Sequence, residues 1–284
     1  MKILIPLALA LVVAMTVTAC GGLAFAVANA PAHFGPFDRD ADIAYGALDR
    51  QKLDVYRPRH VQHAPVIVFW HGGGWTSDDK KQYRFVGAAL AEAGYVAVLP
   101  DYRLYPQVRF PAFVDDGVAA LDWTRRHAAE IGGDPARIFV AGHSAGAHIA
   151  AMVAYDSARL EKAGIPAGTI RGCIGLSGPY VLTPNDAELH AIFGAPFTAA
   201  DWQPVQRAQA GGPPALLVHG EADDVVDIGH ARKMEARLRE LGIPVRLVAY
   251  PGRGHRDVVA TFAKAAPHKL PVLAEIRAFV DAQR

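Results

Sequence analysis

The feature that most constrains this chain is the pentapeptide Gly142-His143-Ser144-Ala145-Gly146, which follows the apolar run Ile138 to Ala141 and precedes the small-residue stretch Ala147 to Ala154. A strand that turns sharply into a helix leaves no room for side chains on either flank of the turning residue, so glycines are required there and the serine is held in a strained conformation. The motif is specific because of this context, since the bare pattern is common by chance. It marks Ser144 as a candidate nucleophile. The helix behind it favours negative charge nearby.

The rest of the sequence supplies the matching architecture. Short apolar runs bounded by Gly or Pro occur at Pro65 to Trp70, Tyr95 to Leu99, Ile138 to Ala141, Ile170 to Leu176, Ala215 to Val218 and Val245 to Ala249. Helical patterns alternate with them, as at Arg84 to Ala93 and Phe113 to His127, and Leu53 to Tyr56 suits an earlier strand. This alternation predicts an α/β fold with a mainly parallel central sheet and helices on both faces. Leu270 to Ala282 reads as a closing helix with Pro271 in its first turn. Residues 179 to 214 have weak periodicity and are expected to form an insertion near the site, with short helices around 187 to 193 and 200 to 208.

The chain has 284 residues, of which 51% are hydrophobic, enough for one large core. Lys plus Arg number 29 against 28 for Asp plus Glu, so no net field attracts nucleic acid, which is excluded as a partner. The organisation read from the sequence is a leader at 1–20, a linker and lead-in segment at 21–50, and a catalytic domain at 51–284. Met1-Lys2, the uncharged run Ile3 to Val17 and the small residues around Cys20 have a signal-peptide layout. Val17-Thr18-Ala19-Cys20 resembles the lipobox of bacterial lipoproteins, which implies export with Cys20 lipidated and a membrane anchor. Ordinary secretion with cleavage after Ala28-Asn29-Ala30, and an uncleaved anchor extended by Leu23 to Ala28, are the alternatives. Cys173, in an apolar strand, reads as a core residue.

A serine needs a histidine to take its proton and a carboxylate to orient that histidine. Twelve histidines compete. His255, in Pro251-Gly252-Arg253-Gly254-His255, follows the last strand and has the place that the chain order Ser, Asp, His requires. Asp223, just past the strand Ala215 to Val218, is the candidate acid, with Glu221 as rival; Asp224 and Asp227 suit capping of the next helix. His71-Gly72-Gly73-Gly74-Trp75 follows the strand Pro65 to Trp70. Its Gly73 and Gly74 N–H groups, with that of Ala145, are candidate donors to an oxyanion. Trp75, Tyr180 and Phe193 are candidate pocket-lining residues. No His-Glu-x-x-His or clustered cysteines occur, so the reading calls for no metal and no cofactor.

These motifs, HGGGW, GHSAG, HGEADDVVD and the terminal GxGH, in this order, resemble the α/β-hydrolase superfamily. The resemblance runs from about Leu53 to the C-terminus and includes Asp101-Tyr102-Arg103-Leu104 and Phe110-Pro111-Ala112. It is to carboxylesterases of the hormone-sensitive-lipase and feruloyl-esterase-like (BD-FAE-like) branch, a group similar to kynurenine formamidases. It implies an α/β-hydrolase fold, a Ser144-His255-Asp223 triad and a small-molecule ester substrate, with a formamide or arylamide as the alternative. A non-catalytic surface protein is the reading from another class. The sequence before Leu53 is too short for a large N-terminal helical cap.

Overall fold

The computed structural model describes residues 25–283. The leader and Cys20 lie outside the described residues.

The centre of the molecule is an eight-stranded sheet of β1 (Phe37–Ala44), β2 (Lys52–Pro58), β3 (Ala64–Trp70), β4 (Val96–Pro100), β5 (Gly133–His143), β6 (Ile170–Leu176), β7 (Ala215–Gly220) and β8 (Val245–Tyr250). The strand order is β1-β2-β4-β3-β5-β6-β7-β8. β2 runs antiparallel to β1 and β4, and from β4 to β8 every neighbouring pair is parallel. Parallel neighbours need long crossovers. These carry α1 (Arg84–Glu92), α2 (Ala112–His127), α3 (Ala145–Tyr155), α4 (Ser157–Lys162), α5 (Ala187–Phe193), α6 (Ala199–Trp202), α7 (Pro204–Arg207) and α8 (Gly229–Glu240), while α9 (Asp257–Ala260) and α10 (Val272–Ala282) follow β8.

The central strands read as unbroken apolar runs because both faces of the sheet are covered. Val66, Val68, Val98 and Val140 point to one face, where Phe113 and Leu121 of α2 and Ile149 and Met152 of α3 pack. Ile67, Phe69, Ala97 and Phe139 point to the other, against Val86 and Leu90 of α1 and Ile276 and Val280 of α10. Alternation along each strand sends successive side chains to opposite cores.

Two elements differ from the sequence expectation. α10 starts at Val272, with Pro271 as its N-cap rather than inside the first turn. The single helix expected at 200–208 is two one-turn helices, because Gln203 is driven into extended backbone (φ −87°, ψ 117°) ahead of Pro204. Among the described residues, the only helical structure before β1 is the short stretch that ends in the 3-10 turn Ala30–His33.

Chain progression reverses between β3 and β5, one followed by a move outward to β4 and the other by a move toward β8. In open α/β sheets a ligand site forms at such a reversal, outside the carboxyl ends of the strands. The loops that leave those two ends begin at His71 and at Ser144.

Candidate active site

At the end of β5 the backbone of Ser144 has φ 54° and ψ −121°, outside the regions an L-residue prefers, and α3 begins at the next residue. The flanking glycines have steric causes. A Cβ on Gly142 would sit 2.2 Å from the Gly146 carbonyl oxygen, and one on Gly146 would sit 2.1 Å from that of Trp70. Ser144 N–H donates to the Leu176 carbonyl at 2.9 Å, which fastens the elbow to β6. The serine is partly exposed whereas all eleven residues of α3 are buried.

Asp223 and His255, 32 residues apart, meet beyond the ends of β7 and β8, with His255 Nδ1 2.9 Å from Asp223 Oδ2. The other carboxylate oxygen accepts from the amides of Val225 and Val226 at 3.0 and 2.8 Å. His219 Nε2 is a further neighbour, 3.2 Å from Oδ2. Burial opposes the charge on Asp223, but hydrogen bonds with His219, His255 and Val226 outweigh it and hold the carboxyl well below the usual range. Asp227 accepts from Gly229 N–H at 2.8 Å at the start of α8, whose N-cap position is Ile228.

The ring of His143 lies 4.9 Å from that of His255. Its Nε2 is 3.1 Å from the His255 carbonyl, and its Nδ1 is 3.0 Å from the Tyr83 hydroxyl. Burial, with the nearby His255, lowers the pKa of His143 to about 3, so the ring is neutral at ordinary pH.

The loop after β3 is set by its glycines. Gly73 has φ +104°, and a Cβ there would meet the Ser77 carbonyl oxygen at 2.3 Å. Its own carbonyl accepts from the amides of Thr76 and Ser77, both at 3.0 Å. Tyr102 stacks on His71 with centroids 4.3 Å apart, and its hydroxyl donates to the carbonyls of His71 and Gly72 at 3.1 Å each. The DYRL segment therefore holds the glycine loop from below. Lys80, 1% exposed, closes the loop by pairing with Asp42 and Asp54 of β1 and β2. Ala145, the third candidate donor, is the first residue of α3, where amides lack an intrahelical partner.

Trp75 and Phe193 come together edge to face at 4.8 Å, in a buried aromatic box with Phe110, Phe113 and His148. His148 lies one turn along α3 from Ser144, and its Nε2 donates to the Trp202 carbonyl at 2.7 Å. Tyr180 belongs to the same buried cluster and lies over β6: a Cβ on Gly175 would fall 1.8 Å from its hydroxyl oxygen. Cys173 is 1% exposed, and burial pushes its thiol up to about 12.

Three residues around the site escape the sequence reading, Tyr83, His143 and His219. Tyr83 and His143 act through partners distant in sequence, whereas His219 meets Asp223 four residues on and the Val226 carbonyl seven residues on. A fourth contact links the site to the N-terminal segment. The Asn29 amide donates to the carbonyls of Lys81 and Gln82 at 3.1 and 3.0 Å, and its oxygen accepts from Phe85 N–H at 2.9 Å. Asn29 thus satisfies an amide in the first turn of α1, and Phe25 packs on the ring of Tyr83 at 5.8 Å.

Known proteins are similar to this chain. Esterase LipC of Mycobacterium tuberculosis is 31% identical over 247 residues, 79% of this chain and 61% of that protein. Isoprenylcysteine alpha-carbonyl methylesterase ICME of Arabidopsis thaliana is 30% identical over 239 residues, 76% of this chain and 56% of that protein. The chain therefore spans little more than half the length of these relatives. Among solved structures, apo esterase 2 of Thermogutta terrifontis is 26% identical with a TM-score of 0.71, covering 87% of this chain and 93% of that one. Esterase B of Lactobacillus rhamnosis has a TM-score of 0.81 at 20% identity, covering 98% and 96%, a likeness of fold. The family model for BD-FAE matches residues 53–238. With an eight-stranded sheet of this order and an elbow serine at its reversal point, the chain belongs to the BD-FAE family of α/β-hydrolases.

Proposed function

We propose that this protein is a serine carboxylesterase acting on short-acyl or small aromatic esters. The observations that carry the reading are the contact of His255 Nδ1 with Asp223 Oδ2 at 2.9 Å and an elbow serine held at φ 54°. Ser144 attacks the ester carbonyl while His255 Nε2 accepts its proton. Asp223 keeps the opposite ring nitrogen protonated and stabilises the imidazolium that forms. The amides of Gly73, Gly74 and Ala145 receive the developing oxyanion, each donor contributing roughly 100- to 1,000-fold in rate. The alcohol departs with the proton from His255, and water then cleaves the acyl-enzyme by the same route in reverse. The names of the relatives support ester chemistry.

The test is hydrolysis of p-nitrophenyl esters from acetate to decanoate, beside the Ser144→Ala variant. Serine-dependent turnover that falls with chain length is the expected result. If folded protein leaves every ester intact, the esterase reading fails, and N-formyl amides become the substrates to try.

The reading extends to export, with residues 1–20 as leader and Cys20 as the lipidated residue of a membrane-anchored protein. Loss of membrane partition in Cys20→Ser is expected; unchanged partition defeats it.

A further inference from the structure

The carboxylate of Asp223 faces two imidazoles, and the proposed mechanism uses one. His219, at the end of β7, is fully buried. Its Nε2 is 2.8 Å from the Val226 carbonyl and 3.2 Å from Asp223 Oδ2, the oxygen that also meets His255. Both of these neighbours only accept hydrogen bonds once Asp223 is ionised, so Nε2 carries the proton and is shared between them. Nδ1 of the same ring is buried without a partner, and so is the hydroxyl of Ser177, the adjacent residue across β6 and β7, whose N–H donates to the Val218 carbonyl at 2.9 Å. Leaving a buried nitrogen unmatched costs free energy, and an apolar residue would fill this place without that cost. What the imidazole supplies in return is its other edge, a rigid donor that ties the loop 220–226 to the carboxylate.

We infer that His219 is a positioning residue for the catalytic carboxylate: its Nε2–H spans the Val226 carbonyl and Asp223 Oδ2, holding the carboxylate in line with His255. The inference rests on the triad reading of the site. His219 touches no substrate and acts through Asp223. Its loss therefore reduces the orientation of His255 in the transition state and leaves substrate binding alone, so kcat falls while KM does not change.

The experiment compares His219→Gln with His219→Asn in the full-length protein. Both are polar and neutral, but only the longer Gln places an amide N–H near the Nε2 position. The expected result is wild-type-like turnover for Gln within a few-fold and a kcat loss of about 10- to 100-fold for Asn, the scale on which orienting partners act. KM, the melting temperature and the fraction of protein labelled by a fluorophosphonate serine probe should match in the two variants. His219→Asn should also cost nothing further when Asp223 is already Asn, because the residue works through that carboxylate. Equal kcat for Gln and Asn overturns the proposal, as does an undiminished Asn penalty in the Asp223→Asn background. If Asp223→Asn alone keeps full activity, the triad reading itself falls, and this inference with it. Activity lost in Asp223→Asn but kept in His219→Asn overturns this inference alone.

Discussion

His143, the residue immediately before the elbow serine, hydrogen-bonds the backbone carbonyl of His255 at 3.1 Å. A carbonyl only accepts, so His143 Nε2 carries the proton and Nδ1 accepts from the Tyr83 hydroxyl at 3.0 Å. The elbow and the histidine loop are thereby fixed to each other, although 112 residues separate them.

Replacing Tyr83 with Phe removes the donor and leaves a buried ring nitrogen unmatched. The expected cost is about 1–3 kcal/mol of stability. For a protein of this size each kcal/mol is roughly 2–4 °C in melting temperature. Calorimetry of the variant checks it, and an unchanged melting temperature would show that the bond contributes nothing net.

Asp223→Asn should lower kcat by about 10³- to 10⁴-fold with the fold intact, since the amide no longer stabilises an imidazolium on His255. Asp224→Asn should leave turnover near normal. Steady-state kinetics on a short ester decides between them, and the opposite pattern would move the acid to Asp224.

Acid should destabilise the protein in a defined window. Burial lowers the pKa of His143 to about 3, and that of His148 to about 4, from the ordinary 6.5. Between those limits the unfolded chain binds protons that the folded chain does not. Their contribution is therefore complete above about pH 6.5 and is lost as pH falls toward 4 and 3. Each histidine supplies a slope of up to about 1.4 kcal/mol per pH unit. Melting temperatures from pH 7.5 to 4.5 should be level at first and then drop; a flat profile down to pH 4.5 contradicts the buried neutral rings.

Gly146→Ala is expected to abolish folding, or to cost more than about 4 kcal/mol, because its methyl group would meet backbone oxygens of Trp70 and His71 at 2.1 and 2.4 Å. Soluble expression and chemical denaturation measure this. A stable variant would mean that β3 can retreat from the elbow.

Much of the scaffold was legible because a strand buried on both faces must be apolar throughout, and β3 to β8 are bounded by turn residues that mark their ends. The start of α10 and the break at Pro204 were not, since each depends on the backbone conformation of a single residue, Pro271 or Gln203. The site divides in the same way. Ser144, Asp223 and His255 stand out because chain order and loop position select them, and the structure brings Asp223 and His255 into contact. His143 and His219 do not stand out. Within the motifs they look like strand ends, and their importance comes from register: Leu176 pairs with Val218 and His219 with Ala249, which carries the end of β7 to the carboxylate. Tyr180 lies over β6 in the same buried cluster as Trp75 and Phe193.

The clasp of Asn29 and Phe25 on the start of α1 sets a distance as well as a contact. If lipid is attached at Cys20, only the five peptide links from Cys20 to Phe25 separate the lipid from the folded body. Fully extended, they reach about 18 Å. A lipid there would hold the folded body within that distance of the bilayer surface.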